Sequence, residues 1–309
     1  MSAIDIPMAD IASPAASQLR TDLDRVSALV SYLTVLTPPA VPAGSDWFRC
    51  SDVLADPDHL GALIDDTGAG RGSPDRATSA SLFVQAWAYR VAAAVLPSLA
   101  VNGRAPDVDP SLVALRITRH RPGAVALLGA PLFGTLADPT PVDVRLPDRG
   151  ALLISTVGSL LAHLDELVSA TRALAKVGER LLWGNVASSA VSTLRAIEGV
   201  LPSAAERQAI RTFTEDVLFQ IEAQHGKLGE LFTLRAAALS SPSTSSSAPR
   251  SSPSSALTPA ESWHFHRRSC CLWYLTTEAK ASVVYCADCS LRDVGERKAE
   301  LQAELDARG

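Results

Sequence analysis

Four of the five cysteines in this chain lie within twenty residues near its C-terminal end: Cys270-Cys271, then fourteen residues, then Cys286-Ala-Asp-Cys289. Only Cys50 stands apart. Four clustered thiolates are a complete ligand set for an iron–sulfur cluster or for a structural zinc ion. The segment around them is poor in core-sized side chains, so a metal and docking onto the rest of the chain are expected to hold its shape. Spacing alone leaves both metals open, with a vicinal disulfide or four free thiols as the remaining alternative. Zinc ribbons present two Cys-x-x-Cys knuckles, and here only Cys286–Cys289 has that form. Adjacent side chains such as Cys270 and Cys271 tend to diverge, which suits two separate irons better than one tetrahedral ion.

The rest of the chain has an ordinary globular balance. Of 309 residues, 47% are hydrophobic and 20% charged, and the net charge is −5 at pH 7. That charge, with no Lys/Arg block interleaved with aromatics, argues against nucleic-acid binding. The first ten residues are acidic and carry neither the basic region nor the apolar core of a signal peptide. No run offers the eighteen or so consecutive apolar residues of a transmembrane segment. A cytoplasmic location is therefore expected, where clustered thiols bind metal or do redox work.

Periodicity predicts helices over Thr21–Thr37, from Thr78 or Ser79 past Val95, and over Leu160–Lys176, Arg180–Gly199 and Ser203–Leu239. Ser203 and Glu206 read as a capping box. Leu112–Thr118 and Ala124–Leu128 read as a hairpin turning at His120–Gly123, with a further strand at Pro141–Leu146. Residues 240–260 are rich in Ser and Pro and read as a flexible linker. The expected fold class is α+β: a mainly helical body with a small antiparallel sheet over 1–239, the linker, and a short C-terminal cysteine-bearing segment over 261–309. That segment ends in a charged helix from Val294 to Ala307.

Arg267-Arg-Ser-Cys-Cys-Leu-Trp-Tyr274 with Tyr285-Cys-Ala-Asp-Cys-Ser-Leu291 resembles the C-terminal signature of the FhuF-type ferric-siderophore reductases. Glu179-Arg-Leu-Leu-Trp-Gly-Asn-Val-Ala187 resembles the Trp-Gly-Asn helix of the body domain in the same family. The resemblance implies one [2Fe–2S] cluster on Cys270, Cys271, Cys286 and Cys289. It also implies one-electron reduction of a ferric siderophore, releasing Fe(II) in the cytoplasm for iron homeostasis. The cysteine pairs stand somewhat further apart than in the family pattern, but closure entropy grows slowly with loop length, so the longer loop still closes.

Other residues take their expected roles from this frame. Arg119 and Arg121, flanking His120, form a basic hairpin tip able to attract an anionic ferric chelate. Arg267 and Arg268 offset cluster charge or are solvated. Trp183 and Asn185 lie near the cluster or simply pack. His264 and His266 are spare ligands that four cysteines make unnecessary. Gly68-Ala-Gly-Arg-Gly72 fails the dinucleotide template and reads as a loop. With no flavin or dinucleotide signature, the electron is expected from an external donor such as a ferredoxin or a flavin reductase. Two other classes compete: a zinc-stabilised interaction protein, and a siderophore-binding module with a structural metal.

Overall fold

Capping side chains set where most of the helices begin. The structure is a computed structural model that describes residues 13–40, 46–235, 261–282 and 289–306. Ser13 accepts the amide of Ala16 at 3.0 Å and starts α1 (Pro14–Leu29). A short strand β1 (Val35–Leu36), strand β2 (Trp47–Arg49) and helix α2 (Cys50–Ala55) follow. Asp56 caps α3 (Pro57–Arg71), and Asp75 caps α4 (Arg76–Asn102) by accepting the Thr78 amide at 2.7 Å. Strands β3 (Ala105–Pro106), β4 (Val113–Thr118), β5 (Arg121–Leu127), β6 (Leu132–Thr135) and β7 (Val144–Leu146) lead to α5 (Arg149–Leu174), capped by Asp148. Then come α6 (Glu179–Glu198) and α7 (Ala204–His225), where Ser203 and Glu206 form the expected capping box. Strands β8 (Gly229–Arg235) and β9 (Glu261–Arg267) and helices α8 (Thr277–Ser282) and α9 (Val294–Asp306) complete the described chain.

The fold is mainly helical, with small sheets in which antiparallel pairing predominates. β1, β5, β4 and β2 form the largest sheet in that order, and only the β1–β5 pair in it is parallel. The β4–β5 hairpin is as expected, but its turn is Arg119–His120 rather than His120–Gly123. Both residues have positive φ, 49° and 64°, the twist a two-residue hairpin turn requires. β3, β6 and β7 form a second sheet. β8 pairs antiparallel with β9 over Gly229–Arg235 and Glu261–Arg267. That pairing corrects the single helix expected over Ser203–Leu239: the helix stops at His225, Gly226 follows at φ 71°, and the chain turns into β8. Residues 240–260, expected to be the linker, lie outside the described residues.

α4 is the axis of the body. It packs against α6, α3, β5, α5 and α1 and is buried almost all round from Thr78 to Leu99. Ala80, Ala88, Ala92, Ala93 and Ala94 bring its neighbours close, and the larger Phe83, Trp87 and Leu96 fill the spaces between them. By length and composition α4 and α5 could each cross a membrane, but 78% and 50% of their most apolar stretches are buried inside the protein. Gly103, at φ 66°, ends α4 beyond Pro97.

One core histidine makes a stability prediction. His163 on α5 is fully buried, accepts the Trp87 indole N–H at Nε2 (3.0 Å) and donates from Nδ1 to the Val108 carbonyl (2.6 Å). Burial pulls its pKa down to about 4, against the Val108 hydrogen bond and the Asp109 charge, so the folded protein holds it neutral. The unfolded chain binds that proton more readily. The stability it contributes is therefore full above about pH 6.5 and falls between there and about pH 4, by roughly 3 kcal/mol at the lower end. Urea midpoints at pH 8 and pH 4.5 should show this loss, and His163→Gln should flatten the profile.

Candidate metal centre and adjoining cleft

The cysteine loop is held against the body by a chain of buried polar groups. Arg267, the last residue of β9, donates from Nη1 to Asn185 Oδ1 on α6 at 3.0 Å. Asn185 Nδ2 donates to the Ser81 carbonyl (3.0 Å) and hydroxyl (2.9 Å) on α4. Ser81 Oγ in turn donates to the Cys271 carbonyl at 2.8 Å. Arg267, Asn185 and Ser81 are each fully buried, where a missing partner would cost more than a hydrogen bond at the surface contributes. Arg267 is thus not a solvated linker residue. Arg268 is the exposed one.

Gly184 and Asn185 of the Trp-Gly-Asn segment support this loop, whereas Trp183 packs on α7. A Cβ on Gly184 would stand 1.9 Å from Ser269 Oγ and 3.3 Å from Ser269 Cβ, so glycine leaves room on α6 for the side chain of the residue just before the cysteines. Trp183 stacks on His225 with ring centres 3.4 Å apart. Gly184→Ala should be nearly neutral, because the serine hydroxyl can rotate away and alanine gains about 1 kcal/mol of helix propensity. Gly184→Val should cost about 2 kcal/mol through overpacking, read as a lowered urea midpoint with an unchanged slope.

A second attachment lies at the end of α3. The Gly68–Gly72 string is not a loop: α3 runs through Arg71, and Gly72, at φ 59°, ends it. Thr277 at the start of α8 donates its amide (3.0 Å) and its hydroxyl (3.2 Å) to the Gly72 carbonyl. Arg71 pairs with Glu278 of α8 at 2.6 Å. The hairpin tip also rests here, because Gly70 leaves room for the His120 side chain and His120 Nδ1 pairs with Asp66 at 2.7 Å.

These attachments hold the loop that carries Cys270 and Cys271. Cys271 and Cys289 are buried and Cys270 is half-buried. The Cys270 thiol is hydrogen-bonded with its neighbour Cys271, which pushes its pKa up. Burial pushes it further, the Leu272 amide counteracts, and the charges of Cys271 and Cys289 add to the rise. Leu272, at φ 64°, aims that amide at Cys270 Sγ, 3.3 Å away. Among the described residues, no three His, Cys, Asp or Glu side chains are arranged to hold a single metal ion. Cys286 lies outside the described residues.

The Leu272 amide thus gives one of these sulfurs a backbone N–H donor. His264 is buried and stacks on Phe232, and burial, with nearby arginine charge, lowers its pKa to about 4. Cys50, fully buried at the start of α2, is a core residue whose thiol burial pushes well up.

Cys271 also forms part of the wall of a cleft of about 380 Å³. Arg71, Tyr89, Arg90, Arg121 and Trp273 line it as well. Of the two arginines expected from the hairpin, Arg121 lines this cleft, whereas Arg119 is exposed at the turn and is not among the lining residues. Arg71 and Arg90, supplied by α3 and α4, carry no motif that marks them in the sequence. Tyr89 is held un-ionised, its pKa raised to about 12 chiefly by burial.

No protein-family model matches the chain, and no curated protein matches it. Among solved structures, the chain is similar to the aerobactin synthetase IucC from a hypervirulent pathotype of Klebsiella pneumoniae. Identity is 15% and the TM-score 0.47, over 64% of this chain and 41% of that one.

Proposed function

We propose that this chain is a ferric-siderophore reductase of the FhuF type, with Cys270, Cys271, Cys286 and Cys289 as ligands of a [2Fe–2S] cluster. The observation that carries the reading is the fastening of the Cys270–Cys271 loop to the body by Ser81, Asn185 and Arg267, with Cys289 near enough for its charge to act on Cys270. Residues from the two segments that resemble the family meet there. When bound, such a cluster supplies one electron at low potential.

The chain's own residues fix where that electron can go. Ser81 and Asn185 hold the Cys271 backbone, the Leu272 amide donates to the Cys270 sulfur, and Cys271 is one of the residues lining the cleft. Hydrogen bonds to sulfur are one of the means by which a protein tunes such a centre. The substrate is Fe(III) in a chelate of hard oxygen donors. It gains one electron and becomes Fe(II), which those donors hold far more weakly, so the chelator leaves intact. An external ferredoxin or flavin reductase restores the electron, and the reaction belongs in the cytoplasm.

The test is a single turnover. Anaerobically reduced protein, freed of excess reductant, is mixed with a ferric siderophore and a chromogenic Fe(II) chelator. About one Fe(II) per cluster is the expected yield. A cluster-bearing protein that yields no Fe(II) from any ferric chelate would refute the reading.

A further inference from the structure

We propose that the cleft beside Cys271 is an anion-selective subsite, which takes ferric chelates of net negative charge in preference to neutral ones. The proposal rests on the reductase reading for the identity of the metal, but its geometry stands apart from the thiols. Three guanidinium groups, Arg71, Arg90 and Arg121, come from three separate elements to line one small cleft. No Asp or Glu is among its lining residues in the described chain. Glu278 offsets Arg71 from outside that lining. Arg90 and Arg121 have no carboxylate partner among the described residues, and their charges oppose each other.

Arg71 and Arg90 are half-buried and Arg121 is exposed, and like charges brought together there are unfavourable unless an anion completes the arrangement. Arg90 is held in place by the face of the Tyr89 ring, 5.6 Å from its guanidinium, and by the Tyr32 carbonyl at 3.4 Å. Its guanidinium is therefore already positioned for an incoming anion. Planar guanidinium groups recognise carboxylate and catecholate oxygens as forks, and Trp273 and Tyr89 offer flat surfaces for an aromatic ligand arm. A neutral hydroxamate chelate gains none of the charge term. A polyanionic catecholate or carboxylate chelate gains all of it, next to the thiol from which the electron would come.

Redox-inert gallium(III) complexes separate this proposal from the reductase reading, because binding then needs no electron transfer. Affinities are measured by tryptophan fluorescence or calorimetry for trianionic gallium tris-catecholate and for a neutral gallium trihydroxamate. At low salt the anionic complex is expected to bind about tenfold tighter or more, with the gap closing as salt is raised. Arg90→Gln/Arg121→Gln is expected to bring the two complexes to the same affinity with the visible spectrum unchanged, and Arg121→Gln alone to give an intermediate preference. Equal affinities in the unaltered protein, binding of neither complex, or a preference that survives the double substitution would overturn the proposal. Loss of the reductase reading would be seen separately, as a protein without visible bands.

Discussion

Cys271→Ser is expected to give a folded protein without bound iron and without ferric-chelate reduction. The fold should persist because the attachment at this residue is its backbone carbonyl, held by Ser81 Oγ at 2.8 Å, and serine leaves that bond in place. The chemistry should not persist, because a serine hydroxyl ionises far less readily than a thiol and is a poorer ligand for cluster iron than a thiolate. The same result is expected for Cys270, Cys286 and Cys289. Far-UV circular dichroism should match the unaltered protein while iron content and Fe(II) release fall to background. Reductase activity retained by a cluster-free Cys286→Ser protein would eliminate the mechanism.

Arg267→Ala should have the largest effect on stability. It removes a fully buried guanidinium and leaves Asn185 Oδ1, also buried, without its donor. Leaving a buried neutral acceptor without its donor costs about 1–3 kcal/mol, and the lost stem adds a packing defect. The loss falls on the attachment of the cysteine loop, so the urea midpoint should drop and iron should be lost on desalting. Arg267→Met separates the two contributions: it restores most of the packing and none of the hydrogen bond, so it should recover part of the stability but not the retention of iron. A midpoint that moves by less than about 1 kcal/mol in Arg267→Ala would mean that the network does not hold the loop.

What could be read from the sequence follows the range of the interactions. The hairpin strands, the helix carrying Trp183 and Asn185 and the capping box at Ser203 are local patterns, and each is found where expected. The hairpin turn was displaced because Arg119 and His120 take the left-handed conformation usually left to glycine or asparagine, while Gly123 lies within β5. Gly68–Gly72 reads as a loop because glycine weakens a helix. Here it ends one, and the missing side chains admit His120 and Thr277. β8 forms by pairing with β9 from beyond the Ser/Pro segment, which no local period can announce. The cationic cleft is further out of reach still: Arg71, Arg90 and Arg121 meet only through tertiary packing.

An anaerobic visible spectrum with iron, sulfide and zinc analysis on protein from iron-supplemented cells decides which metal the four cysteines hold. A red-brown protein with about two irons and two sulfides per chain, bleached by dithionite, is the expected result. A colourless protein carrying about one zinc would contradict it and leave a structural metal module in its place.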